Sequence, residues 1–146
     1  MENDINIIIG EDDEGHALLI KRNLQRSGIA NPIIHFSNGK DIIDYFNNEL
    51  KSGFINKNGY ILLLDIQMPE MSGIEVLEKL KKQEVLKNIP VIMITTTDNP
   101  KEIDTCHKLG CNSYIVKPIN YEKFIEVVRR LGFFLKIIQI PKMQKE

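Results

Sequence analysis

Residues 60–75 read Tyr60-Ile61-Leu62-Leu63-Leu64-Asp65-Ile66-Gln67-Met68-Pro69-Glu70-Met71-Ser72-Gly73-Ile74-Glu75, and this stretch decides the fold. Apolar residues run unbroken into an aspartate, with no polar residue alternating among them. A strand buried on one face would alternate, so the run asks for helices on both faces, as in a parallel sheet. Ser72 and Glu75 then stand at capping-box spacing, which starts a helix. Similar runs lie at 5–9, 33–36, 91–94 and 113–116. Between them apolar residues recur at helical spacing: Ala17, Ile20 and Leu24, then Ile42, Phe46 and Leu50. Asn99 and Pro100 open a fourth helix and Gly110 closes it. A fifth starts near Asn120 and shows Phe124, Val127, Val128 and Leu131 on one face. The order is (βα)5, which predicts an α/β, doubly wound fold around one five-stranded parallel sheet. The stretch 51–59 reads as a surface loop.

Composition narrows the class. The 146 residues suit one domain, and 42% hydrophobic with 27% charged residues excludes a disordered chain. Lys plus Arg is 19 and Asp plus Glu is 20, so the net charge is −1. That predicts no nucleic-acid partner and no membrane attachment through a basic surface. No apolar run approaches the roughly 20 residues of a membrane helix. The start, Met1-Glu2-Asn3-Asp4, lacks the basic and apolar pattern of a secretory signal. Cys106 and Cys111 are too few for a disulfide scaffold or a zinc site, and the expected location is cytoplasmic.

In an open parallel sheet, ligands bind beyond the carboxyl ends of the strands. The residues just past each strand are therefore informative. Glu11-Asp12-Asp13 come after the first and Asp65 after the third; Thr95-Thr96-Thr97 end the fourth and Lys117-Pro118 come after the fifth. Carboxylates, a hydroxyl and one ammonium at a single sheet edge make a hard oxygen site, suited to Mg2+ and a phosphoryl group. Clustered carboxylates repel, and a dication relieves that repulsion.

Glu11-Asp12, Asp65-x-x-Met68-Pro69-x-x-x-Gly73, Thr95 and Lys117-Pro118 resemble the receiver domain of two-component response regulators, over roughly residues 5–131. The resemblance implies a flavodoxin-like strand order of 2-1-3-4-5. It implies Asp65 as phosphoacceptor, with Lys117 and Thr95 assisting the transfer. Glu11, Asp12, Asp65 and the backbone carbonyl of Gln67 would hold Mg2+. Thr95 and Tyr114 would form the switch, read out on the face of the fourth helix, fifth strand and fifth helix. The Lys117–Pro118 bond is expected to be cis. A sensor histidine kinase would be the phosphodonor, and a downstream protein or phosphotransfer protein the listener. On this reading the chain promotes only its own phosphorylation and dephosphorylation, and is no enzyme toward other substrates. Thr96 is bulkier than the Ala or Gly common there and would narrow donor access. Gln67 and Thr97 would flank the hydrolytic water, and neither is an acid or base, which speaks against rapid turnover.

The receiver domain is expected over 1–131, with 132–146 as an extension of the last helix and tail, too short for an output domain. If the helix runs on to Pro141, Leu131, Phe134, Leu135 and Ile138 prolong its inner stripe, and Phe133, Ile137 and Ile140 form a second apolar face for homodimerisation. An extended segment at 137–140 is the alternative. The aromatic extension resembles stand-alone regulators paired with phytochrome-type histidine kinases. Asp13 and Glu14 read as solvated acids of a helix start. His16, His35 and His107 share no metal spacing and read as ordinary residues, and the lysines of 79–82 as a solvated face. Three rivals remain. A haloacid-dehalogenase-type phosphatase wants a second acid where Gln67 stands. A flavodoxin-like cofactor binder wants a phosphate loop where Glu11-Asp12-Asp13 stand. A phosphorylation-independent interaction scaffold is the alternative function.

Overall fold

A computed structural model describes residues 4–56, 58–138 and 140. Five strands, β1 (Ile5–Gly10), β2 (Ile33–Phe36), β3 (Gly59–Leu64), β4 (Val91–Thr95) and β5 (Ser113–Val116), form one parallel sheet in the order β2-β1-β3-β4-β5. The helices are α1 (Glu14–Arg26), α2 (Gly39–Ser52), α3 (Gly73–Lys82), α4 (Pro100–Lys108) and α5 (Tyr121–Ile137). This is the expected doubly wound architecture.

Successive strand residues point to opposite faces, and each face has its own core. Ile8, Leu62, Leu64 and Met93 pack with Ile42, Phe46, Val76, Leu77 and Cys106 from α2, α3 and α4. Ile7, Ile9, Ile61, Leu63 and Ile94 pack with Leu19, Ile20, Leu24, Phe124, Val128 and Leu135 from α1 and α5. The unbroken apolar runs are thereby explained for β1, β3 and β4. The edge strands β2 and β5 are only partly buried.

Local signals place the helix starts. Asp13, Asn38, Ser72, Asn99 and Asn120 each accept a backbone N–H in the first turn of the adjoining helix. At α3 the Glu75 carboxylate accepts from the Ser72 hydroxyl at 3.4 Å, so one half of the box closes through side chains. Gly110 takes the left-handed φ of +97° beyond α4. The stretch expected as a loop at 51–59 is partly helical: α2 runs on to Ser52, and a short turn at Phe54–Asn56 buries Ile55. Lys81 also departs from the solvated face, since it is half-buried and donates to the Lys87 carbonyl at 3.0 Å.

The last helix stops four residues short of Pro141, and Ile138 is already extended at φ −78° and ψ 153°. Leu131 and Leu135 are buried as expected, but Phe134 is exposed. Phe133 and Ile137 stand out at 56% and 76% exposure. Ile140 departs from their face: past the end of the helix, it packs half-buried against the α1–α5 core. Pro141 lies outside the described residues.

The end of α5 is tied to α1. Lys136 Nζ donates to the Ser27 carbonyl at 3.1 Å, and Gly132 lies where a Cβ would strike the Ser27 side chain. A glycine inside a helix costs roughly 0.5–1 kcal/mol relative to alanine, so close approach is what this one provides. Gly132→Ala is therefore expected to destabilise the protein, despite its better helix propensity, by about 1–3 kcal/mol of overpacking. Urea unfolding checks this, with Ser27→Gly in the same chain recovering part of the loss; a stabilised Gly132→Ala would show that the two helices part freely.

Candidate phosphoryl-transfer and metal site

Parallel pairing carries the polar residues to one edge. Gly10 pairs with Leu64 and Thr95 with Val116, so the residues just beyond these pairs come side by side. The ladder runs one step further: the Asp65 N–H donates to the Gly10 carbonyl at 2.9 Å and the Lys117 N–H to the Thr95 carbonyl at 2.7 Å. Gly73 packs against the backbone of Asp65 so closely that a Cβ would overlap it, and its N–H donates to the Ile66 carbonyl at 2.8 Å. In the loop between, Glu70 holds a left-handed φ of 65°, a conformation that costs a non-glycine residue about 1 kcal/mol or more.

Lys117 is the centre of the cluster. Its Nζ donates to Glu11 Oε1 at 2.6 Å and to Asp65 Oδ2 at 2.9 Å. Glu11, Asp65 and Lys117 are 1%, 6% and 4% exposed. Two carboxyls thus share one ammonium in a dry setting, and their environments push them apart. Burial drives the Glu11 carboxyl up from 4.5 to about 9; nearby Asp65 adds to this and Lys117 opposes it. Burial by itself would also raise Asp65, but polar contacts with Glu11, Thr95 and Lys117 outweigh it and hold that carboxyl below its ordinary value. The shared setting therefore favours a proton on Glu11 and an ionised carboxylate on Asp65.

Glu11, Asp12 and Asp65 each bring a carboxylate oxygen within 4.8 Å of the others. Asp12 is exposed, which gives an ion a way in from solvent. Glu11 Oε2 is buried without a hydrogen-bond partner. A hard dication fits this all-oxygen set. Of the further expected residues, Thr95 is wholly buried beside Asp65. The Gln67 N–H donates to Asp65 Oδ1 at 3.3 Å, so its backbone borders the acids. Thr96 is exposed and Thr97 half-buried. Tyr114 donates its hydroxyl to the Thr97 carbonyl at 2.8 Å.

Three details differ from the sequence reading. The Lys117–Pro118 bond is trans, since no described peptide bond is cis, and Lys117 reaches both acids from it. His16 is no ordinary residue: its Nδ1 lies 3.0 Å from Lys117 Nζ and 3.2 Å from Glu11 Oε1. His35 Nε2 donates to the Glu11 carbonyl at 2.6 Å, bracing that acid's backbone. Neither histidine sits at metal-ligand spacing. The available signal was positional: His16 lies one helical turn past Asp12, and His35 lies near the end of the neighbouring strand.

Comparison with known proteins agrees with this geometry. The response regulator receiver domain family matches residues 7–129, and the chain belongs to that family of two-component signalling. A receiver-domain crystal structure from Rhodospirillum rubrum superposes with a TM-score of 0.90 at 40% identity, covering 96% of this chain and 99% of that one. The phosphorylated cyanobacterial phytochrome response regulator RcpA gives 0.83 at 27% identity, covering 94% and 98%. The polar-differentiation response regulator DivK of Brucella anthropi is 32% identical over 124 residues, 85% of this chain and 93% of its own length. Among the described residues, no helix is long and apolar enough to cross a membrane.

The raised Glu11 carboxyl fixes a pH dependence. The folded state binds that proton up to about pH 9, whereas an unfolded glutamate releases it near 4.5. Between those values the folded state holds more protons, so stability falls as pH rises. Asp65, held low, works oppositely and loses its contribution only in acid. Thermal melts with a chelator are expected to drop from pH 5.5 to 8.5, and Glu11→Gln to flatten that drop. Added Mg2+ is expected to restore the alkaline end, because metal binding displaces the proton. A flat wild-type profile would remove the raised Glu11 carboxyl.

Proposed function

We propose that this chain is a cytoplasmic phosphoacceptor regulator, in which Asp65 takes a phosphoryl group from the phosphohistidine of a sensor histidine kinase and reports it by protein contact. The observation that carries this is Lys117 bridging buried Glu11 and Asp65 beside solvent-exposed Asp12. An Asp65 oxygen attacks phosphorus in line with the P–N bond, that bond breaks, and the donor imidazole leaves with its electron pair. Mg2+ held by Glu11, Asp12, Asp65 and the Gln67 carbonyl would neutralise charge on the transferring group. Lys117 then turns an N–H from the consumed Asp65 oxygen to a phosphoryl oxygen, and Thr95 donates its hydroxyl to another. Thr96, exposed at the rim, would restrict bulky donors. Gln67 and Thr97 offer the attacking water no base, which favours a slow return.

The readout depends on the Tyr114 hydroxyl bonded to the Thr97 carbonyl. As Thr95 is drawn toward the phosphoryl group, the strand end carrying Thr97 moves with it, and Tyr114 re-seats in the space released. The face of α4, β5 and α5 is the surface this reshapes, for a downstream target or phosphotransfer protein. Intact-mass spectrometry after acetyl phosphate and Mg2+ is expected to show a gain of roughly 80 Da, the phosphoryl group expected on an acyl-phosphate residue. The gain should vanish in Asp65→Asn and without metal. Metal binding with no adduct from acetyl phosphate or a histidine kinase would favour the phosphorylation-independent scaffold.

Phe133 and Ile137, exposed on α5, support a second copy of this chain as a further partner. Ile140, half-buried, would flank that contact from its rim. Sedimentation is expected to show a dimer that Phe133→Glu with Ile137→Glu converts to monomer; a wild-type monomer with and without the phosphoryl group would remove the homodimer.

A further inference from the structure

An ammonium has three N–H donors, and Lys117 meets a separate acceptor with each: Glu11 Oε1 at 2.6 Å, Asp65 Oδ2 at 2.9 Å and His16 Nδ1 at 3.0 Å. An ammonium has no lone pair, so the Lys117 contact requires Nδ1 as acceptor and the ring proton on Nε2; Nδ1 also lies 3.2 Å from Glu11 Oε1, and a proton on Nδ1 would serve that contact instead. The ring is fixed from other sides too. Its own backbone N–H donates to the Asp13 carboxylate at 3.0 Å, in the cap of α1. Its edge meets Phe124 of α5, with centroids 5.4 Å apart and planes at 77°.

The three acceptors have different fates in the chemistry proposed above, on which this inference rests. Asp65 loses its charge as an acceptor when its carboxylate becomes an acyl phosphate, which leaves only a carbonyl oxygen. Glu11 is committed to the cation site. His16 alone of the three is neither phosphorylated nor assigned to the cation. We propose that His16 is a positioning residue for phosphoryl transfer: its Nδ1 anchors one N–H of Lys117, so that the other two remain aimed at Glu11 and at the acceptor Asp65. Seated on Phe124, the anchor also couples the site to α5 by a route separate from Thr95 and Tyr114.

Two variants separate anchoring from packing. His16→Asn puts its amide oxygen where Nδ1 stood, keeping the acceptor and losing the ring. His16→Phe keeps an aromatic edge for Phe124 and loses the acceptor. Phosphorylation by acetyl phosphate with Mg2+, monitored by intact mass, is expected to slow about tenfold in His16→Phe, the scale of one hydrogen bond to a charged group. His16→Asn is expected to stay within about twofold of wild type, by the same reasoning. Wild-type rates in His16→Phe, or equal losses in both variants, would overturn the anchor. A second readout needs no phosphorylation: the Lys117 ammonium signal in 15N NMR of the metal-free protein. It is expected to persist in wild type and His16→Asn and to exchange away in His16→Phe. An absent wild-type adduct therefore sinks the phosphoacceptor reading alone, while the NMR comparison still decides His16; a signal unchanged in His16→Phe refutes the anchor whatever the mass shows.

Discussion

A single buried ammonium, shared between two carboxyls at one edge of the sheet, is the constraint around which the molecule is organised. Removing charges from water costs several kcal/mol per ion, and only good geometry with satisfied hydrogen bonds returns it. The fold supplies that geometry through topology. All five strands are parallel, so every carboxyl end lies on the same side, and pairing of Gly10 with Leu64 and Thr95 with Val116 sets the register. Two apolar cores, one on each face, hold the sheet rigid enough to keep Lys117 in reach of Glu11 and Asp65. Charge balance then assigns roles. The acid that keeps its proton is Glu11, and the one left ionised is Asp65. A strand-end aspartate is thereby left ionised beside a buried ammonium, as the nucleophilic role proposed for it requires.

Rigidity is unevenly distributed, and the uneven part adjoins the site. β3 is buried along its whole length, whereas β5 is an edge strand exposed at both ends. α4 buries only Cys106 among its nine residues. Elements with few buried apolar contacts open at low cost and are the ones that can be biased by a local event. Thr95 ends β4, and Tyr114 of β5 is bonded to the β4–α4 loop at Thr97. The least anchored side of the sheet therefore adjoins Asp65 through Thr95, while α1 and α5 pack together on the other side.

The fold and the acid-and-lysine core were legible because they arise from local rules. Unbroken apolar runs such as 60–64 need cover on both faces, and Ser72, Asn99 and Asn120 mark helix starts by the backbone donors they satisfy. The polar residues after each strand needed only the rule that parallel strands end together. The illegible part depends on side-chain direction. A histidine at the start of α1 has no sequence feature that says its ring turns back over the strand end, yet His16 reaches Lys117. Phe134 shares helical spacing with the buried Leu131 but falls outside the contact arc, and it is exposed. The sequence leaves the end of α5 open because Ile137, Ile138 and Ile140 suit a helix or an extended segment alike. A tertiary contact one turn before that end, Gly132 against Ser27, is likewise encoded by no helical pattern.

That contact also bears on how α5 presents its outer side. Its inner stripe, Phe124, Val128, Leu131 and Leu135, is committed to the core, and Lys136 fastens its far end to the last turn of α1. A helix held along one side presents its other side as a fixed shape. Phe133 and Ile137 are then not a frayed end exposing apolar residues by accident of motion, but a patch on an anchored scaffold. Close packing resists gradual deformation, so the inner contact of Phe124 with His16 and the outer patch belong to one rigid piece. A shift imposed at either surface must move α5 against α1, where Gly132 leaves no slack.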